Sequence, residues 1–438
     1  MSPEVLGIIL IGVLLGAIFI GFPISFTLIF LGMVFGYMGF GDVVFYLMTY
    51  QFFSAMMEQT LAAVPLFVFM GLLMEKTGLM ERLFKAIQMM LANTTGSLYI
   101  AVLAVSTIFA AATGIVGASV TIIGIMAAKT MNEAKYDVQL SAGAITAGGT
   151  LGILIPPSIM LVVMGPVLEV PVTDLFAAAI VPGMIMATLY TGYALIRCKI
   201  NPLLGPPMAK DANRNFSMIF REFSLGLLPP GGLVLFALGS IMFGFATPTE
   251  GAGMGAVGAI ILTICYRKLT LSNLRDSLLK TLELSALILL LVAASNFFGA
   301  VFSRLGTPTM MTEYLLTLDL PPFLILTLIM ALIFLLGWPL EWVPIVLIIV
   351  PILLPLITEL GFNLTWFGIL VAVNLQTAWL SPPVALSAYF LKGVAPDWDL
   401  KDIYAGMMQF MGIQLIGLIL FMLFPEIVLF LPNWIYGN

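Results

Sequence analysis

Histidine is absent from the 438 residues, and cysteine occurs only at Cys198 and Cys265. Without an imidazole, His-ligated haem, His-based metal sites and Cys-His nucleophilic chemistry are excluded. Two thiols beside basic residues at predicted helix ends do not make a disulfide framework. Charge is scarce as well, at 9% of residues, where a soluble domain carries about a quarter. No basic patch suggests a nucleic-acid partner, and the net charge of −5 carries no such meaning. No tryptophan precedes Trp338, so the first half has no Trp anchors. Trp398, Trp434 and Tyr436 sit where interfacial aromatics are expected. With no His and no paired intramembrane acids, an intramembrane enzyme has nothing to work with.

What is abundant is apolar bulk, at 61%. Runs over 5–20, 180–196, 231–245 and 412–424 are interrupted mainly by Gly, Ser and Thr. A spanning helix needs roughly 20 such residues, so the chain reads as an all-α polytopic membrane protein. The 5–20 run lacks a basic flank and a small-residue cleavage site, and is read as a retained helix rather than a signal peptide.

The second half repeats the first. Gly71-Leu72-Leu73-Met74-Glu75-Lys76-Thr77-Gly78 aligns with Gly299-Ala300-Val301-Phe302-Ser303-Arg304-Leu305-Gly306, an offset of 299 − 71 = 228. Thr173-Asp174-Leu175-Phe176-Ala177 matches Lys401-Asp402-Ile403-Tyr404-Ala405 at the same offset, and Pro156-Pro157 matches Pro382-Pro383 at 226. The expected layout is a first repeat over 1–197 and a cytoplasmic linker over 198–225, followed by a second repeat over 226–438. Spans are predicted at 4–21, 22–40, 58–75 and 174–197, then at 226–244, 248–266, 283–303 and 402–424. Hairpins are predicted over 96–130 and 320–358, and broken helices over 137–166 and 364–391. If both hairpins are re-entrant and the N-terminus is outside, every Lys and Arg except Arg304 falls inside. That is the expected cytoplasmic bias. The second repeat is then inverted and both termini are periplasmic. Asp174 and Asp402, just ahead of equivalent helices, are read as N-caps.

Each repeat breaks an apolar helix at Pro-Pro: Gly149-Thr150-Leu151-Gly152-Ile153-Leu154-Ile155-Pro156-Pro157-Ser158, and Asn374-Leu375-Gln376-Thr377-Ala378-Trp379-Leu380-Ser381-Pro382-Pro383. Each proline lacks an N–H, and the residue before it is driven from the helical region. Carbonyls on Gly152 and Ile153 are therefore expected to lose their partners, and such oxygens suit Na⁺. Half-helix N-termini at the same place favour an anionic group. Paired breaks in related halves mark the binding site of many secondary transporters. A proline pair can also merely kink a helix. Small residues at the first hairpin tip, 111–119, serve close packing as readily as ligand binding. Glu341, at the second tip, is read as wet and Arg304 as a solvated loop residue.

These motifs, with the Gly-x-x-x-acid tip at 337–341, resemble the large membrane subunit of tripartite ATP-independent periplasmic (TRAP) transporters along essentially the whole chain. The resemblance implies an elevator carrier driven by Na⁺ in the bacterial inner membrane. It implies two partners: a small four-helix membrane subunit and a soluble periplasmic substrate-binding protein. Carried over by motif, one Na⁺ site is Thr113, Gly152, Ile155 and Pro157, mostly through carbonyls. The second is Gly337, Ala378, Ser381 and Val384. The candidate substrate contacts are Ser119, Ser158, Asn374 and Ser387. Family members often have Gly where Ala378 stands and Thr where Ser381 stands, and both changes keep the needed oxygens. They often have Ser-rich first tips where this chain has Thr113-Gly114-Ile115-Val116, so carbonyls are left to serve there. Some sugar-acid transporters have Asp at the position of Ser387. Its absence, and the stretch from Asn374 to Pro396, point toward α-keto acids and related small carboxylates. The runner-up is a standalone Na⁺-coupled symporter of the divalent-anion type, working without a binding protein.

Overall fold

The computed structural model describes residues 2–207, 216–317, 320–382 and 384–437, and it leaves the side chains of 111–113, 216, 315 and 316 undescribed. Among the described residues every regular element is helical. Eight helices are long and apolar enough to cross a membrane, among them Pro3–Ile20, Val172–Ile200, Pro248–Cys265 and Leu271–Arg304. The all-α polytopic expectation is borne out.

Four helices escaped the sequence reading: Val43–Met57, Leu79–Leu91, Thr307–Thr317 and Pro425–Tyr436. Leu79–Leu91 shows why. It buries Leu79, Met80, Leu83, Phe84 and Ile87 on one face and leaves Glu81, Arg82 and Lys85 exposed. Thirteen amphipathic residues do not resemble a span that needs roughly 20 apolar ones. Two boundaries also move. The helix expected to end at 197 continues to Ile200, with Arg197 and Lys199 in a last turn that favours cations. The helix expected near 226 begins at Phe216. Residues 208–215 of the expected linker lie outside the described residues.

Helix ends fall where the offset of 228 puts them. The stretch from Val43 to Lys76 corresponds to Leu271–Arg304 (271 − 43 = 228 and 304 − 76 = 228). The second copy is one continuous helix, but the first is split. At Glu58 the backbone turns extended, and its carboxylate accepts the Thr60 N–H at 3.2 Å. Ala286 stands at the matching position and offers no such cap. Packing is reciprocal as well. Ile24–Phe40 packs on Leu271–Arg304, and Pro248–Cys265 packs on Ala63–Lys76. Val138–Thr150 packs on Leu400–Leu423, and Leu364–Gln376 packs on Val172–Ile200. An exchange of this kind is what a two-fold relation between halves requires.

In lipid, helices gain little from hydrophobic contact with one another and rely on close backbone approach. Gly143 and Gly406 supply it where Val138–Thr150 crosses Leu400–Leu423. A Cβ on Gly406 would lie 1.9 Å from the Gln139 carbonyl oxygen, and one on Gly143 would lie 2.6 Å from the Gly406 carbonyl oxygen. The Gln139 amide also donates to the Asp402 carboxylate at 2.9 Å. Asp402 is a first-turn residue rather than the N-cap expected for it, because its helix starts at Leu400 and Asp399 holds the N-cap position. Asp174 is likewise a first-turn residue, of a helix with Pro171 at the N-cap position. A carboxylate in a first turn still complements the helix dipole.

Candidate functional site

The first hairpin consists of Ser97–Thr113 and Val116–Glu133, turned at Gly114 (φ +60°) and Ile115. The first broken helix runs as Val138–Thr150, tightens to a 3₁₀ turn over Leu151–Ile153, and resumes as Ile159–Leu168. Leu154 and Ile155 both donate to the Leu151 carbonyl, at 3.0 and 2.8 Å. The next two residues are prolines with no N–H to give. Ser158 caps the resumed helix: its hydroxyl accepts from the Leu161 N–H and donates to the Ile153 carbonyl. The Ile153 oxygen, expected free, is thus taken. The carbonyls of Gly152, Ile155 and Pro157 receive no hydrogen bond among the described residues.

Tip and break meet. A Cβ on Gly114 would lie 3.4 Å from the Pro157 carbonyl oxygen, and one on Gly152 would lie 3.9 Å from the Gly114 carbonyl carbon. Gly152, Pro157 and the residue after Thr113 are therefore neighbours. The Thr113 side chain lies outside the described residues. The Ile155 side chain packs over Gly183 of Val172–Ile200. Unpaired carbonyl oxygens at such a junction are a fitting donor set for a hard cation without a titrating ligand.

The second hairpin, Pro322–Gly337 followed by Trp342–Pro344, a π-helical turn over Ile345–Ile349 and Val350–Glu359, repeats this contact. A Cβ on Gly337 would sit 3.4 Å from the Ala378 Cβ. The second broken helix ends as Leu364–Gln376, tightens over Thr377–Trp379 and resumes as Leu386–Val394. The Ser381 hydroxyl donates to the Thr377 carbonyl at 2.7 Å, and the Ser381 carbonyl accepts the Ala385 N–H at 3.0 Å. Both oxygens keep lone pairs for a cation. Val384 belongs to the same turn, ahead of Ala385 at φ +35°, while Pro383 lies outside the described residues.

A cavity of about 140 Å³ lies between the two tips. Gly114, Ile115, Ile153 and Ile159 line it from the first half, and Glu341, Trp342 and Trp379 from the second. Leu284 and Ile288 close it from Leu271–Arg304. Glu341 is exposed there. A second cavity, about 580 Å³, shares Ile115, Leu284 and Trp379 with it and extends to Glu75, Lys76 and Lys280.

None of Ser119, Ser158, Asn374 and Ser387 lines either cavity. Ser119 is buried in the first turn of Val116–Glu133, and Ser158 is committed to its cap. Asn374 donates to the Met330 carbonyl at 2.7 Å, tying the second break to its hairpin, and its Oδ1 is buried without a partner among the described residues. Ser387 Oγ is likewise buried and unpartnered. The sequence reading missed Trp379, which lines both cavities, stacks near Phe390 at 6.4 Å and keeps an unpartnered indole N–H. Its place beside Ala378 in the break was the available signal. It also missed the amide pair behind the second break, where Gln414 donates to Gln376 Oε1 at 2.9 Å and to the Val373 carbonyl at 2.7 Å. Arg304 proves to be the last residue of its helix, with its guanidinium 5.2 Å above the Phe40 ring.

Multiple spans and two hairpin tips seated on two interrupted helices define a membrane permease of the secondary-transporter class. Residues 11–427 match the family described as "Tripartite ATP-independent periplasmic transporter, DctM component", and the chain belongs to that family. It is 30% identical to the sialic acid TRAP transporter large permease protein SiaM of Vibrio cholerae, over 97% of both chains. It is also 30% identical to the C4-dicarboxylate large permease DctM of Pseudomonas aeruginosa, covering 88% of this chain and 89% of that one. The 2,3-diketo-L-gulonate large permease YiaN of Escherichia coli is 27% identical over 98% of this chain and 99% of its own. Among solved structures, the YdaH transporter of Alcanivorax borkumensis shares the fold, with a TM-score of 0.67 at 15% identity, covering 97% and 98% of the two chains. The relatives are permeases, not enzymes, and the chain is a multi-pass protein of the bacterial inner membrane acting in TRAP-type solute transport.

Proposed function

We propose that this chain imports small carboxylates, α-keto acids among them, against their gradient by coupling to Na⁺. The single observation carrying this reading is the seating of each hairpin tip on its own break, with a cavity between the two junctions. Na⁺ would be held by the carbonyls of Gly152, Ile155 and Pro157 beside Thr113, and by Gly337, Ala378, Ser381 and Val384 at the other junction. A cation at either junction would satisfy carbonyl oxygens that the broken helix leaves without a hydrogen bond. It would thereby order the tips that wall the substrate in. The substrate anion sits close to both cations, so each stabilises the binding of the other, and that is coupling in energetic terms.

The hairpins and broken helices would move together as an elevator past the helices of 3–91 and 216–317, the two repeats having inverted topology with both termini periplasmic. A periplasmic binding protein would deliver substrate, and a small four-helix membrane subunit would widen the fixed part. Small organic acids are favoured because SiaM, DctM and YiaN relatives handle sialic acid, C4-dicarboxylates and 2,3-diketo-L-gulonate by name.

The test is uptake of a panel of labelled carboxylates into proteoliposomes holding this chain and its small subunit. Accumulation is expected only with both an inward Na⁺ gradient and the cognate binding protein. Na⁺-driven uptake that ignores the binding protein would instead identify a standalone symporter. Uptake indifferent to Na⁺ would end the coupling proposal.

A further inference from the structure

The helix Leu271–Arg304 passes all three cavities at the junction of the two halves. Ser277, Lys280 and Leu284 line the 580 Å³ cavity, and Leu284 and Ile288 line the one between the tips. Ser295, Asn296, Gly299 and Ser303 line a third cavity, about 320 Å³, whose other walls include Gln51, Pro166 and the helix Val350–Glu359 at Pro351 and Pro355. At 3.6 residues per turn, Ser277, Thr281, Leu284, Ser285, Ile288, Ser295 and Gly299 fall on one stripe about 100° wide. Ser277 and Ser295 are 18 residues apart (295 − 277), or about 27 Å along the axis. That is close to the roughly 30 Å depth of the hydrocarbon core.

Three serine hydroxyls on this stripe, like those of Ser141 and Ser387, depart from the usual pattern. A threonine or serine in a membrane helix ordinarily donates to the carbonyl four residues back. Thr121, Thr146, Thr191, Thr263 and Thr281 do so here, Thr281 to the Ser277 carbonyl at 2.7 Å. Ser277, Ser285 and Ser295 are 2%, 6% and 1% exposed, and their hydroxyls have no partner among the described residues. Leaving a buried hydroxyl unpaired is unfavourable, and two of the three sit in cavity walls.

We propose, resting on the transport reading above, that this stripe is the fixed wall of the substrate path. Its serine hydroxyls donate to the carboxylate in passing, Ser295 at one end of the route and Ser277 at the other. Leu291 and Val292, both buried, lie on this helix between the residues that line the 320 Å³ cavity and those that line the other two. A carboxylate crossing this wall would have its lost hydration replaced by hydroxyls in sequence, and would meet Lys76 and Lys280, with Glu75 and Asp276 beside them, at the Ser277 end.

Ser277→Val and Ser295→Val in the proteoliposome assay are each expected to lower the maximal uptake rate about three- to tenfold, the effect of one neutral hydrogen bond. KM should change little, because the contacts form in transit. Thr263→Val, which removes a hydroxyl already committed to the Ala259 carbonyl on a helix outside the stripe, should transport like the wild type. As a second readout, Ser277→Cys and Ser295→Cys are made in a chain with Cys198 and Cys265 replaced by alanine. Alkylation of each during turnover should be slowed by saturating carboxylate. Wild-type rates in either valine variant, or no substrate protection at either cysteine, would overturn the proposal while leaving the transport reading intact. A wild-type chain that takes up none of the panel would remove the transport reading, and this proposal with it.

Discussion

Gly152→Leu should abolish Na⁺ stimulation of uptake, lowering Na⁺-driven transport roughly 100-fold, while Gly152→Ala should lose less than about threefold. The contrast follows from the space at the first junction. A Cβ at Gly152 would lie 3.7 Å from the Ala110 Cα and carbonyl oxygen and 3.9 Å from the Gly114 carbonyl carbon, which is ordinary contact. Every one of those neighbours is backbone, so nothing can swing aside for a longer side chain. Leucine must therefore lift the tip at Gly114 away from Pro157, and it separates the carbonyls proposed to share one Na⁺. The fold should persist, because the crossing of Val138–Thr150 with Leu400–Leu423 lies away from the tip. Uptake measured with and without Na⁺ beside a thermal midpoint decides it. Undiminished Na⁺ stimulation in the leucine variant would remove the carbonyl site.

The second large effect is on stability. Gly406→Ala is expected to lower the thermal midpoint by several degrees or to prevent recovery of monodisperse protein. A methyl group there would lie 1.9 Å from the Gln139 carbonyl oxygen and 2.9 Å from the Gly143 amide nitrogen, both backbone atoms. The two helices would have to separate, and the Gln139–Asp402 hydrogen bond would be lost along with the close approach. Overpacking a tight contact costs about 1–3 kcal/mol, and a backbone clash belongs at the upper end of that range. Gly412→Ala on the same helix is the control, because a Cβ there would meet nothing within 4 Å. Equal midpoints for the two variants would contradict the account of how the broken helix is held.

Much of the fold was legible because proline and glycine act locally. Pro156-Pro157 and Pro382 stand in the interruptions of their helices, where backbone chemistry says a break must fall, and Gly114 and Gly337 mark both tips. Short helices such as Leu79–Leu91 were not legible, because their burial depends on helices far away in the chain, here Phe216–Met242. The split at Glu58 was hidden for another reason. There one carboxylate caps the next turn and Pro65, with no N–H to give, is the third residue of Ala63–Lys76, signals too small to stand out in an apolar run. The cavity walls were the hardest part. Nothing local pairs Leu284 with Trp379 or Ile115, and only the packing of the two halves brings them together. The course of the backbone at the breaks could be read from motifs, whereas side-chain walls needed the tertiary structure. Ser158 illustrates the difference. Its position at the break suggested a ligand contact, yet its hydroxyl is spent capping the resumed helix.

The central claim is that two cation sites at two tip–break junctions drive the carrier. The most direct measurement is the initial rate of carboxylate uptake as Na⁺ is varied at constant ionic strength, with saturating binding protein. Two coupled sites predict a sigmoidal dependence with a Hill coefficient above one and approaching two, and Gly152→Leu should abolish it. A hyperbolic dependence would leave one site at most, and a rate independent of Na⁺ would contradict the account altogether.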